Sequence, residues 1–351
     1  MGKEKFNKRE LLRYIGDTSQ LFGLKDYYLN GGKADGVRAV DMKNGSGLEL
    51  TILPDRALDI ANLSYKGINF SYISSTGIVA PQYFNEFGQG FLRNFYGGFL
   101  TTCGLTSVGA PCNDNGEELG AHGCISNIPA EEVYAGTEYI DGIPVMKVSG
   151  NLKEARFFGE NITLTRQISV CYGENKVYIK DEVENNGFSE VPFMILYHFN
   201  LGYPLLAEDS YLILPSSQVT PRDTDAEKGI CEYRVFQPPT PKYKEQVFYH
   251  NLKEDDKGKT FSALINPKLS VGVAIKFDKS QLGRFTQWKQ MGEGEYVLGL
   301  EPCNCPVEGR AKARKDGTLE FLKPGEKRKF DIEIQIIDGD KEIQQLKDKL
   351  T

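Results

Sequence analysis

The chain has 351 residues, 40 % of them apolar and 26 % charged, with a net charge of −6 at neutral pH. That is globular composition with ample core material, enough for one large β-rich domain or two ordinary ones. No apolar run is long enough to cross a membrane as a helix, and the lack of a basic block argues against nucleic acid as a partner.

The start lacks the apolar stretch of a signal peptide, and Phe6 stands where a myristoylation signal needs Ser or Thr, so a cytoplasmic location is expected. Asn7 is placed to cap a short amphipathic helix carrying Leu11, Leu12 and Ile15, and residues 1–35 are expected to form a helical extension packed on the main domain. From about Gly36 the apolar period becomes two. Leu48, Leu50 and Ile52 alternate with Glu49, Thr51 and Leu53. The pattern returns at Ile162, Leu164, Arg166, Ile168 and Val170, at Val271, Val273, Ile275 and Phe277, and at Phe330, Ile332, Ile334 and Ile336. These are half-buried strands. Asp141-Gly142, Asn186-Gly187, Asp316-Gly317 and Pro324-Gly325 read as hairpin turns between them, which implies antiparallel sheets. Pro238-Pro239-Thr240-Pro241 reads as a loop rather than a linker, and Ile343, Leu346 and Leu350 predict a short closing helix. The expected fold class is all-β: one large antiparallel β-sandwich over residues 36–351, with short N- and C-terminal helices.

Seven cysteines, at 103, 112, 124, 171, 231, 303 and 305, are odd in number and scattered, so reduced thiols are expected. Cys303-x-Cys305 and His122-x-Cys124 lack the paired spacing of a zinc site, and no metal is expected.

The stretch from Phe285 to Asn304 carries the most chemistry. A strand over Tyr296 to Glu301 puts Val297, Gly299 and Glu301 on one face, so the carboxylate overlooks a surface that Gly299 leaves bare. On the preceding strand, Phe285, Gln287 and Lys289 share a face and Trp288 lies opposite. Gln287 and Lys289 are expected to meet Glu301 above one sheet, with the Trp288 ring contributing an apolar surface. His198 ends an apolar strand and shares a face with Met194, Leu196 and Asn200; a partly desolvated imidazole there can serve as acid or base at neutral pH. His122 lies among small residues where a ligand can come close, His250 is read as a surface residue, and Arg56 as half of an Arg–Asp pair. Arg93, shortly before Gly97-Gly98, is a candidate grip for hydroxyls or carboxylates. The competing readings are a hydrogen-bonded core histidine for His198, a loop histidine for His122 and a surface carboxylate for Glu301.

Taken together, His122-Gly123, His198 through Asn200-Leu201, and Leu300-Glu301-Pro302 resemble, in that order, the motifs of the aldose 1-epimerase (galactose mutarotase-like) family. Tyr197 replaces the asparagine that usually precedes the second histidine, and Arg93-Asn94 matches the family's arginine motif only loosely. The segments around Asp55-Arg56 and Thr101-Thr102 look more like a less characterised branch. The resemblance implies a galactose mutarotase-like supersandwich and interconversion of sugar anomers without a cofactor, with Glu301 as base and His198 as acid. His122, Arg93, Gln287, Lys289, Asn200 and Trp288 would hold a small-molecule sugar, and Arg93 with Lys289 would allow an anionic one. A monomer and a homodimer stay open, as do two other functions. One is a carbohydrate-binding protein without catalysis. The other is a glycoside hydrolase or lyase, which needs a second carboxylate, for which Asp59 and Glu293 are the candidates.

Overall fold

The computed structural model describes residues 6–348. Two large sheets dominate, of eight and seven strands, beside a five-stranded sheet from the first part of the chain. The eight-stranded sheet runs in the order Glu131–Ile140, Ile143–Ala155, Asn161–Cys171, Lys176–Asn185, Lys327–Asp338, Val271–Asp278, Lys259–Asn266 and Tyr211–Ile213. In the seven-stranded sheet the order is Ser216–Pro221, Gln246–Leu252, Arg284–Gly292, Glu295–Cys303, Val191–Leu201 and Glu320–Leu322, with Leu100–Leu105 also paired to Val191–Leu201. The ladders of both are antiparallel.

Alternation decides what faces what. Val177, Ile179, Ile332, Ile334 and Ile336 of one sheet and Ile195, Tyr197, Phe199, Leu298 and Leu300 of the other are buried in a common apolar cluster. Each such aliphatic or aromatic side chain contributes about 1.5–3 kcal/mol when fully buried. Met194 and Leu196 point the other way, into a smaller cluster with Phe91, Val108, Ala121, Cys303 and Ala313. The outer face of the seven-stranded sheet is thus roofed over part of its area by the loops before residue 125 and by the helix Arg310–Lys315.

Arg166 stands in an otherwise apolar stripe and is still fully buried. Its guanidinium donates to Asp181 at 2.7 Å and to Asp59 and Thr102 at 2.8 Å, and Tyr197 donates its hydroxyl to Asp181 at 2.7 Å. Removing one partner would strand a buried charge. The network ties the two sheets together beneath the His198 strand.

Several turns differ from expectation. Asp141 and Gly142, at φ 51° and 79°, do form a two-residue hairpin closing at Ile140 and Ile143. Asn186-Gly187 does not, because the strands on either side of it belong to different sheets; Asn185 Oδ1 accepts from Gly187 N there and steers the crossover. Gly317 ends the helix Arg310–Lys315, and Pro324-Gly325 again connects two sheets. At the N-terminus Asn7 does cap a helix, Lys8–Leu11, but Phe22–Tyr28 is a strand that pairs with Arg38–Asn44, so the expected helical extension is partly sheet. Arg56 is buried against the carbonyls of Ser126, Val79 and Asn94 and the ring of Tyr96, not against an aspartate. The 238–241 loop is pinned by Thr240 N to Met291 O. The closing helix, Asp340–Lys347, buries Ile343 and Leu346; Leu350 and the first five residues lie outside the described part. Among the described residues no helix is long and apolar enough to cross a membrane.

Candidate active site

One rung of the seven-stranded sheet builds the site. Phe199 pairs with Leu300 and Asn200 with Gly299, which sets His198 directly across from Glu301. On the other side Glu301 pairs with Thr286, and Thr286 with Tyr249. Paired residues share a face, so His198, Glu301, Thr286 and Tyr249 form a row on the outer side of the sheet. The next rung of that face holds Asn200, Gly299 and Trp288. Gly299 leaves the gap: a Cβ there would run into Glu301 Oε1 and come within 2.9 Å of Trp288 Cβ.

Above the row is a pocket of about 470 Å³, lined by His122, His198, Glu301, Thr286, Trp288, Phe95, Arg222 and Glu245 among others. Its volume suits a single sugar ring. His198 Nε2 lies 3.2 Å from Glu301 Oε1, yet the oxygen is buried without a hydrogen-bond partner, as are His198 Nδ1 and His122 Nδ1. Buried polar atoms are nearly always satisfied, so three unpartnered ones around one pocket set it apart as a candidate ligand site. Aromatic rings wall them in. Trp288 meets His198 edge-on at 5.4 Å, Phe95 lies 5.4 Å from His198, and Phe91 lies 4.9 Å from His122.

Burial governs the electrostatics. It pushes the Glu301 carboxyl well above the usual carboxylate range; Glu245 adds to the rise and Arg222 opposes it. The same desolvation, with His122 nearby, pushes His198 down to about 3, partly offset by the Asn200 side chain. His122 is lowered by burial to about 4. The pair therefore favours neutral forms, with one proton between its members.

His122 is held at φ 58° between Gly120 and Gly123, with its backbone bonded to Gly109 and Gly104. Asn200 shares the His198 face, donating to Gly97 O and His198 O with its Oδ1 unpartnered, but it does not line the pocket. Arg93 is exposed and outside the pocket. Gln287 and Lys289 correct the expectation most clearly. Both point into the core, away from Glu301, while Trp288, expected opposite, is the residue beside it. The reason is parity: the Glu293-Gly294 turn pairs Gly292 with Glu295, which aligns even-numbered Thr286 and Trp288 with odd-numbered Glu301 and Gly299. Gln287 bonds Tyr233 O at 2.7 Å and His250 Nε2 at 3.0 Å, and Lys289 bonds Glu232 O at 3.1 Å. His250, read as surface, is buried there and also bonded to Ser216.

Of the two carboxylates considered for a hydrolase, Asp59 belongs to the Arg166 network and Glu293 to an exposed turn. The second carboxylate that lines the pocket beside Glu301 is Glu245, which accepts from Arg222 at 2.9 Å and from Trp288 Nε1 at 2.8 Å. Arg222 and Glu245 had no sequence signal, since each sits at a strand end beside irregular chain. Tyr197, the departure from the family's second motif, faces the core and leaves the pocket untouched. Among the described residues no group of three or more His, Cys, Asp or Glu side chains is arranged to hold a metal ion.

The sequence profile of a family described as a domain of unknown function, DUF4432, matches residues 34–336. The chain belongs to the DUF4432 family. None of the curated proteins matches it. Among solved structures, a Klebsiella pneumoniae protein provisionally named an aldose 1-epimerase superposes with a TM-score of 0.90 at 25 % identity, over 95 % of this chain and 89 % of that one. A galactose mutarotase-like protein of Clostridium acetobutylicum gives 0.63 at 15 % identity, over 91 % of this chain and 99 % of the other. Galactose 1-epimerase of Lactobacillus acidophilus gives 0.59 at 15 % identity, over 91 % and 100 %. This member of the DUF4432 family thus has the galactose mutarotase-like sandwich.

Proposed function

We propose that the chain is an aldose 1-epimerase-like isomerase that interconverts the anomers of a free sugar, with Glu301 and His198 as its proton-transferring pair. The observation that carries this reading is the cross-strand placement of the two, 3.2 Å apart and incompletely hydrogen-bonded at the floor of a sugar-sized pocket. The name of the Klebsiella pneumoniae neighbour agrees with it.

Ring opening needs one group to take the proton of the anomeric hydroxyl and another to give one to the ring oxygen. A pair holding one proton can do both. The neutral pair and the ion pair, Glu301 carboxylate with His198 imidazolium, contain the same number of protons and the same net charge. In the ion-pair form Glu301 removes the hydroxyl proton while His198 protonates the ring oxygen. The C1–O5 bond breaks and the aldehyde forms. Rotation about C1–C2 and the reverse transfers close the other anomer, returning each group to its first state. His122 contributes a hydrogen bond to a hydroxyl, and Trp288 an apolar wall. Acid–base help of this kind is worth about 10²–10⁴-fold.

The test is anomer exchange by NMR saturation transfer on neutral aldohexoses, pentoses, 6-deoxysugars and uronates. Exchange of at least one sugar should quicken with wild type and fall by about 10²-fold or more in folded Glu301→Gln and His198→Asn. A sugar that binds without faster exchange would instead make the pair a recognition device, and the reading would fail.

A further inference from the structure

Arg222 is the only Lys or Arg among the described residues lining the pocket. It is not free. Its Nη2 donates to Glu245 at 2.9 Å and its Nε to Asp223 at 2.8 Å, so two carboxylates answer one guanidinium. Burial disfavours the charged forms of His122, His198 and Glu301, which leaves Arg222 and Glu245, of opposite sign, as the other charged side chains of the lining. Lys289 and Arg93, the cations that would have favoured an acidic sugar, lie elsewhere.

Glu245 is also the partner of the Trp288 indole, with Nε1 donating to its second oxygen at 2.8 Å. Each carboxylate oxygen is therefore occupied, one by the cation and one by the aromatic wall. The geometry makes this pair a clasp. Arg222 N bonds Val247 O where two strands part, and the chain then leaves the sheet at Arg222 and returns at Glu245. The bridge closes the neck of that excursion beside the pocket.

We propose that Glu245 sets the charge selectivity of this pocket: by masking Arg222 it admits neutral sugars and refuses those bearing a carboxylate, and loss of its charge opens the site to acidic sugars. This rests on the sugar-binding reading above. Specificity here is a difference of affinities built from a repulsive element, the Glu245 charge facing an incoming anion, together with the withholding of an attractive one. Glu245→Gln keeps an oxygen for the Trp288 N–H while removing the charge, which releases Arg222 Nη2 for a sugar carboxylate while Asp223 stays on Nε.

The experiment measures binding of D-glucose and D-galactose against D-glucuronate and D-galacturonate by titration calorimetry, with anomer exchange recorded on the same samples. Wild type should favour the neutral sugar of each pair. In Glu245→Gln, shown to be folded by its melting curve, the uronate-to-neutral affinity ratio should rise about tenfold, less in high salt. Adding Arg222→Gln should abolish the gain. A wild type that binds uronates as well as neutral sugars overturns the proposal. So does a Glu245→Gln that weakens both classes equally, which would reduce Glu245 to a prop for Trp288. Binding of neither class by wild type overturns it together with the sugar-binding reading. A shifted ratio without exchange would sink the epimerase reading and leave the charge rule standing; exchange with an unmoved ratio would do the reverse.

Discussion

The strands Arg284–Gly292 and Glu295–Cys303 carry polar side chains on both faces, and the two faces treat them in opposite ways. On the core face, Gln287, Lys289 and His250 are tied to Tyr233, Glu232 and Ser216, so their buried polar atoms are anchored by the protein itself. On the pocket face, Glu301 and the two histidines keep atoms without partners in a space that a small ligand could fill. Burial alone therefore does not distinguish a structural polar residue from a functional one. Unpaired atoms gathered around one cavity separate the two faces better, because a buried group left unpaired raises the energy of the empty protein; single unpaired atoms, such as Ser262 Oγ and Asn200 Oδ1, also occur away from the pocket.

The sharpest way to break this contrast is to fill the gap at Gly299. Gly299→Ala would press on Glu301 Oε1, approach Trp288 Cβ to 2.9 Å and His198 Cε1 to 3.3 Å, and displace the carboxylate. We expect anomer exchange to fall by about 10²-fold in a protein that still melts cooperatively. Unchanged exchange would mean that the carboxylate position does not matter. On the core face the effect should be on stability. Gln287→Ala leaves His250 Nε2 and Tyr233 O without their partner and should destabilise by about 2–3 kcal/mol in denaturant titration, while exchange per folded molecule changes by less than about threefold. A loss of exchange at full stability would return Gln287 to the site.

The smallest effect concerns pH. Because the folded protein holds the Glu301 carboxyl well above its ordinary 4.5, the wild type loses stability as pH rises above that value, and a Gln at this position does not. His122 and His198 titrate in the opposite sense, losing stability as pH falls below about 6.5, but both proteins share them, so the difference isolates Glu301. The melting temperature of Glu301→Gln should exceed that of wild type by about 1–2 °C more at pH 8 than at pH 5. A gap that narrows with pH would mean the carboxylate is stabilised as an anion.

Much of the sandwich was legible because alternation is a local property. The stripes at Ile162 to Val170 and Phe330 to Ile336 read directly as strands, and Gly299 beside Glu301 pointed to a bare patch. Even the place of Trp288 was within reach, since a two-residue turn at Glu293-Gly294 fixes which residues of the two strands share a face. Asn186-Gly187 and Pro324-Gly325 were misread because a turn dipeptide reports a change of direction, not whether the next strand rejoins the same sheet.

By itself the sequence determined the fold class and much of the strand pattern, and it put His122, His198 and Glu301 among eight candidate site residues, because side-chain period and residue chemistry are written one position at a time. Only the tertiary structure decided that His198 faces Glu301, that Arg222 and Glu245 close the pocket, and that Arg93 does not line it. Those facts depend on strand register and on chain brought together from far apart in sequence, and nothing in the local pattern of either partner encodes them.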